Sequence, residues 1–277
     1  MSSLPQNFLT FEYLVDLYSR YAEELRSPGM FLTRTASNGD HDGGISRVDG
    51  ELLYLLIRDL KPSNTIEFSP NEGYSTGFIA RALHQNSRPH TFATFDLVEL
   101  PNFSVRMRSL GLSPQLILGD ALVNIPRYTE SLNIKGKIDF LYIDSDHSAE
   151  FTVKYIQTIF PLLAPGCVVM IHDMSYYPND PTNFSHYGSC KPNEIKGTVA
   201  AIGEGQILAH FFSQLPNIQV FSTQRTFGDC HEESSILPRN RNLIEALSLA
   251  APGFCLPPSA GMGGGFPRSP MCLIFCL

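Results

Sequence analysis
Two hydrophobic periods alternate along this chain. Over residues 46–60, leucines at positions 52, 53, 55, 56 and 60 recur at the three- and four-residue spacing of a helix buried along one side. Asp49 or Ser46 can cap that helix, and Pro62 stops it. The run 65–68 (TIEF) then reads as a buried strand closing on a carboxylate, Glu67. A tight turn with Pro70, Asn71 and Gly73 follows, residues that pre-set or permit unusual backbone angles. The helix behind it starts near 74 or 75, with Ser75 and Thr76 able to cap its first turn. The alternation continues with strands expected at 90–97, 116–118, 138–143 and 167–171. Helices are expected at 103–110, 149–160 and 197–215, and a helix or loop at 123–132. A strand at 218–223 and a short helix at 243–250 close the series. This pattern predicts an α/β fold built on a doubly wound, mostly parallel sheet.

Both flanks differ from this pattern. Residues 5–27 carry Phe11, Leu14, Val15, Leu17, Tyr18 and Tyr21 at helical spacing, which predicts a lid or packing helix. The stretch 29–44 reads as a loop that contains Asp40, His41 and Asp42. From 252 onward the chain is rich in Pro and Gly and ends in MCLIFCL, a tail expected to be disordered or to dock through its last apolar residues. The expected division is therefore an N-terminal helix and lid loop (1–45), a main domain (46–250) and a tail (251–277).

In doubly wound sheets, ligands sit at the carboxyl ends of the strands, near the point where strand order reverses. Here those ends carry Glu67, Asp96, Asp120, Asp144 and Asp173, which a parallel sheet collects along one edge. Like charges left unpaired there are costly, so a cationic or donor-rich ligand is expected among them. A ribose diol and an adenine amino group suit some of these acids, and a divalent metal suits others. The amides of the 70–73 turn and the helix N-terminus behind it favour a ligand carboxylate or phosphate.

Composition narrows the class. The formal net charge is −7 over 277 residues, which argues against nucleic acid and against an anionic membrane surface. No apolar run approaches the roughly 20 residues a spanning helix needs, and residues 1–13 lack a basic region followed by an apolar core. The six Cys are scattered without a C-x-x-C pair, as expected of free thiols in a reducing, cytoplasmic setting.

The ordered set of motifs resembles the class I S-adenosylmethionine-dependent methyltransferases. It is most similar to the small-molecule O-methyltransferases of the catechol and caffeoyl-CoA type and to antibiotic-tailoring relatives. VDGELLYLLIRDLKPSNTIEFSPNEGYST carries one half of the likeness, and IDFLYIDSDHSAEF with LLAPGCVVMIHDM carries the other. The resemblance implies a Rossmann-like, seven-stranded sheet with an N-terminal helical cap, a small-molecule acceptor and a role in secondary metabolism. A homodimer is an expectation of the resemblance alone. It also implies that Glu67, Ser69, Gly73, Ser75 and Thr76 surround the methionine part of S-adenosylmethionine. Asp96 would accept the ribose hydroxyls, with Glu99 as a substitute, while Asp120 and Ala121 would hold the adenine. Asp144 and Asp173 would coordinate a divalent metal such as Mg²⁺. His147, three residues past Asp144, stands where catechol-type enzymes carry a lysine, and is a candidate general base. Helix capping or a bond to Asp144 are its alternative roles.

Three positions depart from the family pattern. Ser69 replaces a usual glycine, and Met174 replaces an Asn or Asp that would ligate a metal. His172 could supply the third ligand instead, which would suit Mn²⁺, Fe²⁺ or Zn²⁺ better than Mg²⁺; without a metal it would act as a base or pack. These departures leave a second reading open, in which the domain binds the cofactor as a scaffold or catalyses another reaction. A nicotinamide-dependent enzyme would want G-x-G-x-x-G after the first strand, which SPNEGY does not supply.

Overall fold
The computed structural model describes residues 8–26, 45, 47–99, 101–172, 204–215, 220–222 and 273–277. They form seven strands: β1 (Asn64–Phe68), β2 (Thr91–Asp96), β3 (Gln115–Leu118), β4 (Ile138–Ile143), β5 (Leu163–Ile171), β6 (Val220–Ser222) and β7 (Leu273–Cys276). The helices are α1 (Phe11–Arg20), α2 (Ala22–Arg26), α3 (Arg47–Leu60), α4 (Tyr74–Gln85), α5 (Pro101–Ser109), α6 (Ala121–Ser131), α7 (Ala149–Thr158) and α8 (Glu204–Ser213). All strands join one sheet in the order β3-β2-β1-β4-β5-β7-β6. The pairs β1–β2, β1–β4, β2–β3 and β4–β5 are parallel, whereas β7 runs antiparallel to both β5 and β6.

The side-chain period of two splits the strands between two cores. Phe140 and Tyr142 of β4, Val168 and Met170 of β5 and Ile274 of β7 face the layer of α1, α3 and α4. Leu141, Ile143, Val169, Ile171 and Phe275 face the other layer, which receives Ile125 of α6, Tyr155 of α7 and Leu208 and Phe212 of α8. The result is a three-layer sandwich. Helix α3 is buried almost all round, since every residue from Leu52 to Ile57 has lost its exposure. That follows from its place between the sheet, α4 and the N-terminal helix. Of the two roles expected for that N-terminal helix, α1 fills the packing one. It buries Tyr13, Leu14, Leu17 and Tyr18, and is tied to α3 where Tyr13 donates a hydrogen bond to Asp59 at 2.6 Å.

Of the two fates expected of the tail, its end shows docking through the last apolar residues, here as a strand of the main sheet. Leu273–Cys276 is an inner strand, hydrogen-bonded on both edges, with Ile274 and Phe275 fully buried on opposite faces. A four-residue apolar run behind a Pro/Gly-rich stretch carries no local sign of its partners, which lie about a hundred and about fifty residues upstream. The sheet thus includes residues beyond position 250. The loop 29–44 with Asp40, His41 and Asp42, the stretch 173–203, the expected helix 243–250 and residues 251–272 lie outside the described residues.

Candidate active site
Strand order reverses between β1 and β4, so the crevice of this sheet opens at their carboxyl ends. Ile66 and Phe68 of β1 point into one core, which turns Glu67 to the other face, under α4. The Glu67 carboxylate is fully buried. Thr76 donates to its Oε2 at 2.8 Å, while Oε1 has no hydrogen-bond partner among the described residues. Burial pushes this carboxyl up to about 7; the hydroxyls of Ser75, Thr76 and Thr94 pull it back, and the charge of Asp144 adds to the rise. Ser75 and Thr76 were expected to cap α4. Instead Gly73 takes the cap position without a side-chain cap, and the Thr76 hydroxyl serves Glu67.

The turn between β1 and α4 is held open by left-handed residues: Ser69 at φ +56°, Asn71 at +49° and Gly73 at +85°. A side chain at Gly73 would press on Met107 and Phe103 of α5, so this position takes glycine for two reasons. Helix α5 also pins the turn. Arg106 donates to the Glu72 carbonyl at 2.9 Å and lies 3.8 Å over the Tyr74 ring, and Asn102 donates to the Glu72 carboxylate at 2.8 Å. Motif reading missed Arg106 and Asn102, because their role is set by a helix packed 30 residues downstream. At Ser69 the left-handed conformation costs an L-residue about 1 kcal/mol or more. Ser69→Gly is therefore expected to raise the melting temperature by about 2 °C; an unchanged or lower value would show that the turn bears no strain there.

Asp96 ends β2 beside this turn. Its Oδ1 accepts from the Leu97 N–H at 2.7 Å and its Oδ2 faces the Asn71 N–H at 3.4 Å. Glu99, the substitute, accepts from Ser104 and borders a groove of about 340 Å³ lined by residues of α5 and β3. Asp120 is exposed after β3 and caps α6, accepting from the Leu122 N–H at 2.9 Å; Ala121 follows as the first helical residue.

Beyond β4, Asp144 meets two histidines. His172 Nδ1 stands 3.3 Å from its Oδ1 and His147 Nε2 stands 3.9 Å from the same oxygen. Behind His172, Nε2 stands 3.4 Å from Oδ2 of Asp49, which is buried inside α3 rather than capping it. Behind His147, Nδ1 stands 2.7 Å from Oε2 of the buried Glu204. Two imidazole rings of the chain itself thus stand among the strand-end acids. Neither Asp49 nor Glu204 was legible as a site residue.

Two ligand classes can be tested against these residues. A buried carboxylate oxygen without a partner among the described residues, below a turn of amides that reaches Asp96, fits a ligand with a cationic group and a diol. For a metal, Asp144 and His172 come together, and a carboxylate behind the imidazole is how metal-ligating histidines are held. Among the described residues no three His, Cys, Asp or Glu side chains form a ligand set, and Asp173, the expected partner of Asp144, lies outside them, as does Met174.

A seven-stranded sheet with one reversed strand between β5 and β6, and its crevice over β1 and β4, defines a Rossmann-like methyltransferase fold. Residues 70–174 match the family model described as a methyltransferase domain. A catechol O-methyltransferase of Niastella koreensis is 27% identical over 164 residues, covering 57% of this chain and 72% of that protein. The solved structure of an O-methyltransferase from Bacillus cereus in complex with SAH superposes with a TM-score of 0.51 at 14% identity, covering 100% of this chain and 93% of that one. That likeness is one of fold. The chain is thus similar to methyltransferases over residues 70–174 and to an O-methyltransferase in sequence, and it shares the fold of another. No helix among the described residues is long and apolar enough to cross a membrane.

Proposed function
We propose that the chain transfers a methyl group from S-adenosylmethionine to a hydroxyl of a small molecule, with His147 as the base and a divalent metal assisting. The observation that carries this reading is Glu67 Oε1, a buried carboxylate oxygen at the strand-order switch with no hydrogen-bond partner among the described residues. A desolvated anion there favours a cationic ligand over a neutral nucleoside. In this reading the amides of residues 69–73 and the hydroxyls of Ser75 and Thr76 surround the amino-acid end of the ligand. Asp96 holds the ribose, and Asp120 with Ala121 borders the adenine. S-adenosylmethionine supplies an electrophilic methyl group on a positively charged sulfur. Asp144 and His172, with Asp173, would hold a Mg²⁺ or Mn²⁺ ion, which lowers the pKa of an acceptor hydroxyl and orients it. His147 Nε2, on the Asp144 side, takes the proton of that hydroxyl. The rest of the work is alignment of the acceptor oxygen, which the rigid ends of β1 and β4 provide.

The catechol O-methyltransferase relative makes vicinal aromatic diols the first acceptors to try. The test is titration calorimetry with S-adenosylmethionine, then product detection over a panel of catechols, other phenols and sugars with and without Mg²⁺ or Mn²⁺. Micromolar binding and methylation of any member support the proposal. Binding without turnover across the panel supports a scaffold, and absence of binding overturns the cofactor assignment. A homodimer remains part of the proposal on family resemblance alone, with light scattering to decide it. A cytoplasmic location belongs to it too, supported by the free thiols of Cys167 and Cys276.

A further inference from the structure
Glu204 opens α8, is fully buried, and lies 57 residues along the chain from His147. Three bonds fix it. Its Oε1 accepts the Tyr155 hydroxyl at 2.6 Å, its Oε2 stands 2.7 Å from His147 Nδ1, and its N–H donates to the His147 carbonyl at 3.1 Å. Both the ring and the main chain of His147 are therefore bracketed by one residue. Tyr155 is fully buried, and burial together with Glu204 holds its hydroxyl well above the ordinary range, so it stays a neutral donor. Where Glu204 accepts from both neighbours, the imidazole atom that faces it is an Nδ1–H.

We propose that Glu204 is the positioning residue of His147. It accepts the Nδ1 proton and locks the neutral ring in the tautomer that leaves the lone pair on Nε2, the nitrogen on the Asp144 side. Tyr155 holds the far oxygen of Glu204, so the carboxylate cannot swing away from the ring. The proposal rests on the reading of His147 as base and adds the residue that sets its tautomer. Depriving a base of the carboxylate that fixes its tautomer lowers turnover without touching the binding of either substrate.

The test uses the full chain labelled with ¹⁵N-histidine and the variants Glu204→Gln, Glu204→Asp, Tyr155→Phe and His147→Asn. Imidazole ¹⁵N shifts, read without cofactor or metal, are expected to show His147 as the Nδ1–H tautomer in the native chain and in E204D, and as a mixture in E204Q. In E204Q, kcat is expected to fall roughly 10- to 100-fold with the KM for S-adenosylmethionine held within about twofold. E204D recovers part of that loss, and Y155F loses less than E204Q. An Nε2–H tautomer in the native chain overturns the proposal even if E204Q does not fold. So does a folded E204Q that keeps both tautomer and kcat while H147N is inactive. An H147N variant with native kcat instead removes the base reading itself, whatever Glu204 does.

Discussion

Glu67→Gln is expected to make the ligand-free protein more stable above pH 7 and at the same time to cripple binding of S-adenosylmethionine. The two effects have one origin. Desolvation raises this carboxyl from 4.5 to about 7, against the pull of Ser75, Thr76 and Thr94. In the unfolded chain the group titrates near its ordinary value, so between pH 4.5 and 7 the native state binds the extra proton. Stability therefore falls as pH rises through that window, and the loss is complete above about pH 7. The shift corresponds to a cost on the order of 3 kcal/mol. A glutamine still accepts from the Thr76 hydroxyl and carries no charge to desolvate. Thermal melts of E67Q and the native chain should accordingly coincide near pH 4.5 and diverge in favour of E67Q by pH 8. Affinity moves the other way. If the buried anion pairs with the charged end of the cofactor, its removal weakens binding by roughly 10- to 100-fold at pH 8. The native chain should itself lose affinity below pH 7, by up to about tenfold per unit, because Glu67 must first ionise. E67Q should show no such slope. Calorimetry at pH 6 and 8 measures all of this; equal affinities of the two proteins would remove Glu67 from the cofactor site.

That trade of stability against binding was half legible in the sequence. The strand ending on Glu67, the polar turn and the helix after it stand out because period and turn chemistry are local signals, and α3, α4, α7, β1 and β4 fall close to the expected spans. Position 69 was legible as a departure from glycine, but only the backbone shows that the serine there adopts φ +56°. Residues whose role is set by distant chain were not legible. Glu204 begins an apolar helix segment and looks like an ordinary first-turn acid. Asp49 looks like a helix cap. Each becomes informative only when the sheet brings a histidine against it, His147 for one and His172 for the other. The same holds for β7, whose Leu273–Cys276 run gains meaning from the unpaired edges of β5 and β6. Local patterning thus marked the strand-end acids and both histidines, while the carboxylates that stand behind those histidines depended on contacts across the fold.

His147→Asn should abolish most of the turnover and little else. Asparagine places an amide nitrogen near the position of Nδ1 and can still donate to Glu204 Oε2, so the buried carboxylate keeps a partner besides Tyr155. Alanine would leave that oxygen underserved and add a cost of about 1–3 kcal/mol, which confuses stability with chemistry. Asn offers no atom at the Nε2 position and cannot take a proton from the acceptor. Loss of a general base costs roughly 10²–10⁴-fold in rate, so kcat should drop by that much at saturating substrates. The KM for S-adenosylmethionine should stay within about threefold, since the residues assigned to the cofactor are untouched. The decisive readout is the acceptor series. A hydroxyl that is already ionised at the assay pH needs no base, so the deficit of H147N should shrink as phenols of lower pKa are supplied, and nearly vanish for a nitro-substituted one. A deficit independent of acceptor acidity would mean that His147 positions substrate or supports α7 and α8. A native kcat would leave proton removal to water, or to Asp144 and His172 at the end of β4 and β5.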